Sequence, residues 1–129
     1  MSEEKTLMDF VKTAKSQITE VEVNEVVALL DEGYQVLDVR EPGEYAAGTI
    51  DGALNVPRGV LEAASDRQYP GKNANMQDRD KKWLLLCATS GRSAMATYVL
   101  QQMGFKNVKN ISGGIAAWKS AEMLVVIPK

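Results

Sequence analysis

The sequence predicts an α/β fold, with a central, mostly parallel sheet of about five strands and helices on both faces. Short apolar runs alternate along the chain with segments whose apolar residues recur at helical spacing, which is the pattern of βα units. One run, residues 83–86, holds four large apolar residues in succession, as expected of a strand covered on both faces. A chain of 129 residues, of which 45% are hydrophobic, fits a single domain and excludes a second full one.

The N-terminal region is predicted to be an amphipathic helical extension, residues 1–17, that precedes a main domain at residues 18–129. Its apolar stripe consists of Leu7, Phe10, Val11, Ala14 and Ile18. A helix of about thirteen residues is marginal by itself in water, so the stripe must be buried against its own domain or against another molecule. We expect the extension to be dispensable for chemistry, because none of its residues is predicted near the carboxyl end of the sheet.

Five short elements are predicted between residues 18 and 57, most of them ended by a glycine or a proline. In order, they are an alternating strand at 18–23, a helix around Val26, Leu29 and Leu30 that Gly33 ends, a strand at 36–39, a short helix between Pro42 and Gly48, and a strand at 53–56 that Pro57 ends. We expect Asp38, on a buried strand, to accept backbone hydrogen bonds.

The second half of the chain continues the alternation after an irregular polar loop at residues 65–82, with room for one helical turn. In order, it contains the strand at 83–86, a helix with Met95, Val99 and Met103 that Gly104 ends, a strand at 108–111, a turn at Gly113 and Gly114, and a helix at 115–120. Phe105 is expected to pack back on Leu100 at the end of the longer helix.

Two features of the composition exclude several classes of catalyst. The chain has one cysteine, Cys87, and no histidine. These counts exclude an intrachain disulfide, multi-cysteine metal sites, histidine-ligated zinc, and the Ser-His-Asp and Cys-His mechanisms. We therefore expect no metal and no organic cofactor. An enzyme built on this chain must use Cys87, carboxylates, lysines, arginines, hydroxyls or backbone amides.

Charge and hydropathy exclude two kinds of partner. A formal net charge of −2, with lysines and arginines scattered along the chain, provides no electrostatic footprint for nucleic acid. No apolar stretch approaches the ~20 residues of a membrane helix, so no membrane partner is expected. The start of the chain is acidic and polar and lacks the pattern of a signal peptide, so the sequence predicts a cytoplasmic protein.

The segment that follows Cys87 is the one best suited to carry chemistry. Cys87 ends the most hydrophobic strand, at the edge of a parallel sheet where ligands bind, and residues 88–93 lead from it into a helix. Small side chains and Gly91 allow consecutive backbone N–H groups to point inward and hold an anion. Arg92 adds a planar cation. This combination predicts a nucleophilic thiolate that accepts a negatively charged species, rather than a buried structural cysteine.

Three motifs of the chain resemble those of the single-domain rhodaneses, a family of sulfurtransferases. Residues 87–93 (CATSGRS) are similar to the active-site loop of that family, residues 37–45 and 48–57 to its first signature, and residues 113–118 (GGIAAW) to its C-terminal signature. The resemblance runs in order from about residue 21 to residue 126. It implies a rhodanese-like fold and a sulfurtransferase in which Cys87 takes up a sulfane sulfur as a persulfide and passes it to a thiophilic acceptor.

The resemblance also implies the roles of the loop residues. The outer sulfur would be held by the backbone amides of Ala88, Thr89, Ser90, Gly91 and Arg92. The Arg92 side chain would help to hold an anionic donor. Arg40 and Glu44 would have a structural role and pair around the turn at Pro42. The implied donor is a small molecule such as thiosulfate or a persulfide, the acceptor could be a protein, and the chain is expected to be a monomer or a weak homodimer.

The chain departs from the family at three places in these motifs. Thr49 stands where the family commonly has histidine, and Ser90 stands where many members have glycine. Ala88 and Thr89 are uncharged, whereas some members carry a basic residue there, which predicts weak binding of small dianionic donors.

Two other interpretations of the loop stay open at the level of sequence. The domain could be a non-enzymatic sulfur carrier or a regulatory binding module that receives sulfur on Cys87 from a dedicated protein, which the uncharged Ala88 and Thr89 favour. A cysteine phosphatase or arsenate reductase combines a thiolate and an arginine in the same way. The four residues between Cys87 and Arg92 are one fewer than in the cysteine phosphatases, however, and a smaller cup favours a single sulfur atom over a tetrahedral oxyanion.

Overall fold

The computed structural model describes residues 3–129, which form a five-stranded sheet and six α-helices; residues 1 and 2 of the predicted extension lie outside them. The strands are β1 (Glu20–Val21), β2 (Gln35–Asp38), β3 (Leu54–Asn55), β4 (Lys82–Leu86) and β5 (Asn107–Ile111). The helices are α1 (Leu7–Gln17), α2 (Val23–Asp31), α3 (Pro42–Ala46), α4 (Leu61–Ser65), α5 (Gly91–Gln102) and α6 (Gly114–Ser120). The strands pair in the order β1-β5-β4-β2-β3, every pair parallel. The predicted α/β fold is confirmed, with a sheet that is entirely rather than mostly parallel.

The sheet separates two apolar clusters, and β4 contributes to both of them. Successive residues of 83–86 alternate between the clusters, because side chains of a strand point to opposite faces, and each is at most 1% exposed. Leu100 of α5 belongs to one cluster and Trp118 of α6 to the other. Helices therefore cover both faces, as the run of four apolar residues predicts.

The end of α5 confirms the predicted stop at Gly104. Gly104 adopts a φ of +99°, its N–H donates to the carbonyl oxygen of Gln101 (3.0 Å), and the N–H of Phe105 donates to that of Leu100 (3.0 Å). This is the Schellman arrangement, in which a left-handed residue after the helix satisfies its last carbonyl groups. Phe105 and Leu100 are both buried in the same cluster, so Phe105 packs back as expected.

The region between β3 and β4 contains more structure than its composition predicts. A 3₁₀ turn at Arg58–Val60 leads into α4, and a second 3₁₀ turn, Ala74–Met76, lies within the predicted loop and buries Met76 completely. Helices of one turn carry too few apolar residues for a periodic pattern, which is why the sequence did not predict α4.

The expected pairing of Arg40 with Glu44 is wrong. The guanidinium of Arg40 instead binds the buried carboxylate of Asp38, with Nη2 2.8 Å from Oδ2 and Nε 3.0 Å from Oδ1. Arg40 follows the end of β2 by two residues, beside Asp38, whereas Glu44 lies in α3 and binds Arg92. Asp38 also accepts the backbone N–H of Arg40 (3.1 Å), as predicted, and the hydroxyl of Thr49 (2.9 Å). Thr49 thus satisfies the carboxylate from the position where the family commonly has histidine.

The N-terminal helix α1 packs on α5 of the same chain. Thr6 caps its start: the Thr6 side chain accepts the N–H of Asp9 (3.2 Å), and the Asp9 carboxylate accepts the N–H of Thr6 (2.7 Å). Val11 and Ala14 are 4% and 1% exposed. The centre of the apolar stripe is therefore buried against its own domain, whereas Leu7 and Phe10 of the same stripe are exposed. No helix of residues 3–129 is long and apolar enough to cross a membrane.

Candidate active site

Cys87 lies immediately after β4, at the carboxyl edge of the sheet. The strand ends at Leu86, residues 87–90 form the connection, and α5 begins at Gly91. Because β4 is a central strand with β5 and β2 on either side, this edge lies in the middle of the sheet, where open parallel sheets bind ligands. The Cys87 side chain is buried, at 1% exposed.

Two groups donate hydrogen bonds to the Cys87 sulfur. The backbone N–H of Ser90 lies 3.1 Å from Sγ, and the hydroxyl oxygen of Ser93 lies 3.2 Å from it. The Ser93 hydroxyl also lies 3.3 Å from the carbonyl oxygen of Ser90, and its single proton serves one acceptor at a time. Donors that converge on sulfur from the loop and from the first turn of α5 match the needs of a sulfur anion. The sequence analysis did not identify Ser93 as a site residue, although its position in the first turn of the predicted helix places it close to Cys87.

Ser90 brings its N–H to the sulfur from a strained backbone conformation. It is the residue before α5 and adopts φ +97° and ψ −7°, in the left-handed region. For a residue with a side chain this region costs about 1–2 kcal/mol. Glycine, common at this position in the family, adopts the same conformation without that cost, so the departure at Ser90 preserves the loop shape at the expense of strain.

The loop is held from inside by the start of α6. The N–H groups of Ile115 and Ala116 donate to the carbonyl oxygens of Cys87 (2.9 Å) and Ala88 (3.1 Å). Gly114 permits this approach: a Cβ there would lie 2.5 Å from the Cys87 oxygen and 2.6 Å from the Ala88 carbonyl, and its φ is +60°. The turn was predicted from its two glycines, but its role in seating the cysteine loop was not.

Arg92 binds a carboxylate within the protein. Its two terminal nitrogens donate to the two oxygens of Glu44, Nη1 to Oε1 at 2.8 Å and Nη2 to Oε2 at 2.9 Å. This bidentate pair lowers the pKa of Glu44 to about 2 and raises that of Arg92 above its ordinary value. The side chains remain 36% and 38% exposed, so solvent reaches the pair. The cation that the sequence assigned to an anionic donor is therefore already neutralised by Glu44.

A cavity of about 320 Å³ opens above the sulfur, and α1 forms one of its walls. It is lined by Cys87, by Ala88, Thr89, Ser90, Gly91 and Arg92 of the predicted site, by Met95, and by Leu7, Met8, Val11 and Lys15 of α1. The ammonium group of Lys15 donates to the Ser90 hydroxyl at 3.0 Å. The expectation that the extension lies away from the site is wrong. Because α1 packs along α5 and α5 begins at the cysteine loop, α1 lies beside the site. No local sequence pattern indicates this packing.

A polar chain connects Lys15 to the sheet. Nζ of Lys15 lies 4.0 Å from Oε2 of Glu20, and this carboxylate accepts from Nδ2 of Asn110 at 2.9 Å. Nδ2 of Asn110 also lies 3.5 Å from the carbonyl oxygen of Ser90. Lys15 is thus placed by Ser90 and Glu20 together. Within residues 3–129, no group of three or more histidine, cysteine, aspartate or glutamate side chains is arranged to hold a metal ion.

Comparison with known proteins identifies the family. The sequence model of the rhodanese-like domain family matches residues 22–121 of this chain, which include β2, the cysteine loop and the glycine turn. The chain belongs to the rhodanese-like family. Among similar proteins, thiosulfate sulfurtransferase 16, chloroplastic, of Arabidopsis thaliana is 36% identical over 93 residues, 70% of this chain and 78% of that protein. The human thiosulfate:glutathione sulfurtransferase is 30% identical over 110 residues, 79% of this chain and 94% of that protein.

A solved structure extends the likeness beyond the rhodanese-like domain. A protein of unknown function from Rhodopseudomonas palustris, described as a possible tyrosine phosphatase, is 32% identical, with a TM-score of 0.88 over 98% of each chain. Because so much of this chain is covered, the superposed region includes α1. The rhodanese-like match itself begins at residue 22, after α1 has ended.

Proposed function

We propose that this rhodanese-like protein is a sulfurtransferase that moves a sulfane sulfur from thiosulfate or a persulfide donor to a thiophilic acceptor through a persulfide on Cys87. The observation that carries the proposal is the convergence of the Ser90 N–H (3.1 Å) and the Ser93 hydroxyl (3.2 Å) on the Cys87 sulfur beside an open cavity. The sulfurtransferase names of the two relatives reported above support the same chemistry.

The first step is a sulfur-to-sulfur displacement. The Cys87 thiolate attacks the outer sulfur of thiosulfate, a new S–S bond forms at Sγ, the S–S bond of the donor breaks, and sulfite leaves with the electron pair. The outer sulfur of the resulting persulfide is an anion. We assign its binding to the backbone amides of residues 88–92 and to the Ser93 hydroxyl. A nucleophilic acceptor then attacks that outer sulfur and restores the thiolate.

Intact mass spectrometry tests the proposal directly. Incubation with thiosulfate, polysulfide or an organic thiosulfonate should add one sulfur atom, about 32 Da, and cyanide should remove it as thiocyanate. Cys87→Ser should show no gain while retaining the circular dichroism spectrum, because the exchange is nearly isosteric. A wild-type protein that stays unmodified with every donor would overturn the proposal.

A sulfur carrier is the second candidate, and one observation favours it. Arg92 is bound to Glu44 by two hydrogen bonds of 2.8 and 2.9 Å, which leaves a weak attraction for a small dianion at the cavity mouth. A carrier would take up one sulfur from a protein or polysulfide donor but would not turn over with thiosulfate and cyanide. Steady-state release of thiocyanate separates the two candidates.

Phosphatase activity, suggested for the Rhodopseudomonas palustris protein, is the third candidate. The four residues between Cys87 and Arg92 form a small cup, and Arg92 is engaged by Glu44, so a tetrahedral phosphate lacks both space and its usual cation. We expect no hydrolysis of an aryl phosphate above the rate of Cys87→Ser.

A further inference from the structure

We propose that α1 shapes the Cys87 cavity for a sulfane donor that carries one negative charge and an apolar organic group, in preference to inorganic thiosulfate. The inference rests on the sulfurtransferase activity proposed above and specifies its donor. It assigns the selectivity to a helix that lies outside the residues 22–121 matched by the family model.

The size and the lining of the cavity favour an organic group. At about 320 Å³, the cavity falls within the range of small-molecule pockets, about 300–1,000 Å³, and exceeds what a thiosulfate ion with its five non-hydrogen atoms can fill. Leu7, Met8 and Val11 of α1 and Met95 of α5 supply an apolar wall. Leu7 and Met8 are each 65% exposed, so a bound organic group would remove apolar surface from water.

The charges around the cavity favour a single negative charge. Of the described residues that line it, Lys15 and Arg92 are the cations. Both nitrogens of the Arg92 fork are held by Glu44, and Lys15 lies 4.0 Å from Glu20. Lys15 is therefore the less compensated cation and can turn from the Ser90 hydroxyl to a donor. Two charges of thiosulfate would enter a largely apolar cavity with too little opposing charge, which costs desolvation energy.

The transfer balances with a thiosulfonate as donor. The Cys87 thiolate attacks the terminal sulfur of R–SO₂–S⁻, an S–S bond forms at Sγ, and the bond between the terminal sulfur and the sulfonyl sulfur breaks. The sulfinate R–SO₂⁻ leaves with the electron pair, and total charge is unchanged. An organic persulfide R–S–S⁻ reacts in the same way and releases R–S⁻.

The test compares kcat/KM for p-toluenethiosulfonate and for thiosulfate, with cyanide as acceptor. We expect wild type to favour the organic donor by about tenfold or more, and Leu7→Ala and Met8→Ala each to reduce that ratio by about threefold to tenfold. Phe10→Ala is the matched control: Phe10 is an apolar residue of the same helix, 54% exposed, that lines a different groove. The ratio of the two kcat/KM values in Phe10→Ala should match that of wild type.

Lys15→Met tests the charge part of the inference. It should lower kcat/KM for p-toluenethiosulfonate by about tenfold. Equal kcat/KM for the two donors, or the same ratio in Met8→Ala as in Phe10→Ala, would overturn the inference while the persulfide still forms. If no donor modifies Cys87, the proposed sulfurtransferase activity fails instead.

Discussion

The cysteine loop is supported on two sides by contacts of different kinds. On the inner side, α6 donates two backbone hydrogen bonds to the carbonyl groups of Cys87 and Ala88, and Gly114 is in contact with the same backbone. On the outer side, the supports are side chains that solvent reaches: the Lys15 ammonium on the Ser90 hydroxyl and the Arg92–Glu44 pair.

The difference separates folding from selectivity. The inner support leaves no room for an added atom, so changes there should displace the sulfur or destabilise the domain. The outer support consists of partly exposed polar contacts, each of small energy, and changes there should alter which donor reacts. The inner support also lies within the matched residues 22–121, whereas Lys15 lies outside them.

The largest effect is expected at the inner support. Gly114→Ala places a Cβ 2.5 Å from the Cys87 carbonyl oxygen at a positive φ, and should lower the free energy of unfolding by about 2–4 kcal/mol. Urea denaturation measures it. Gly43→Ala is the control, because Gly43 lies in α3 with no heavy atom within 4 Å of the added Cβ; it should be neutral or stabilising. Equal stability of the two variants would contradict the inner support.

Ser90 contacts Lys15 on the outer side through its hydroxyl, and a pair of variants separates the strain of its backbone from the effect of that hydroxyl. Ser90→Ala and Ser90→Gly both lose the bond to Lys15, but only glycine relieves the φ of +97°. We therefore expect Ser90→Gly to be more stable than Ser90→Ala by about 1 kcal/mol in urea denaturation. The reverse order would show that the left-handed conformation is not strained in this protein.

A smaller effect is expected from releasing Arg92 on the outer side. Glu44→Gln removes the carboxylate that neutralises Arg92 and should raise kcat/KM for thiosulfate by about twofold to fivefold relative to p-toluenethiosulfonate. Glu62→Gln is the control, because Glu62 pairs with Arg58 (2.8 Å) away from the cavity. An unchanged donor ratio in Glu44→Gln would show that Arg92 does not attract the donor.

The smallest effect concerns pH. The pKa of Glu44 is lowered from 4.5 to about 2 in the folded protein, so its pair with Arg92 contributes stability above about pH 4.5 that is lost as the pH falls toward 2. Because both side chains are more than a third exposed, the contribution should be below about 1 kcal/mol. The difference in unfolding free energy between wild type and Glu44→Gln, measured from pH 6 to the most acidic pH at which both fold, should shrink on acidification. A constant difference would contradict the lowered pKa.

Local sequence patterns were enough to predict the sheet, the order of the main helices and strands along the chain, and the position of Cys87 at the carboxyl edge of the sheet. Residues 83–86 and the spacing of Met95, Val99 and Met103 are local patterns, and local patterns report which face of an element is buried. The absence of histidine and the presence of a single cysteine excluded several classes of catalytic mechanism from composition alone.

Several of the groups that surround the sulfur could not be predicted from local patterns, because they come from distant parts of the chain. Arg92 and Glu44 lie 48 residues apart, and Lys15 and Ser90 lie 75 residues apart. The family resemblance implied a pair of Arg40 with Glu44, but Arg40 binds Asp38 in the folded protein. In the same way, the apolar stripe of α1 predicted a buried face but did not indicate that α5 covers it. Periodicity records that a side chain is buried, whereas its partner depends on how distant elements pack, and that packing brings Lys15 to the cavity of Cys87.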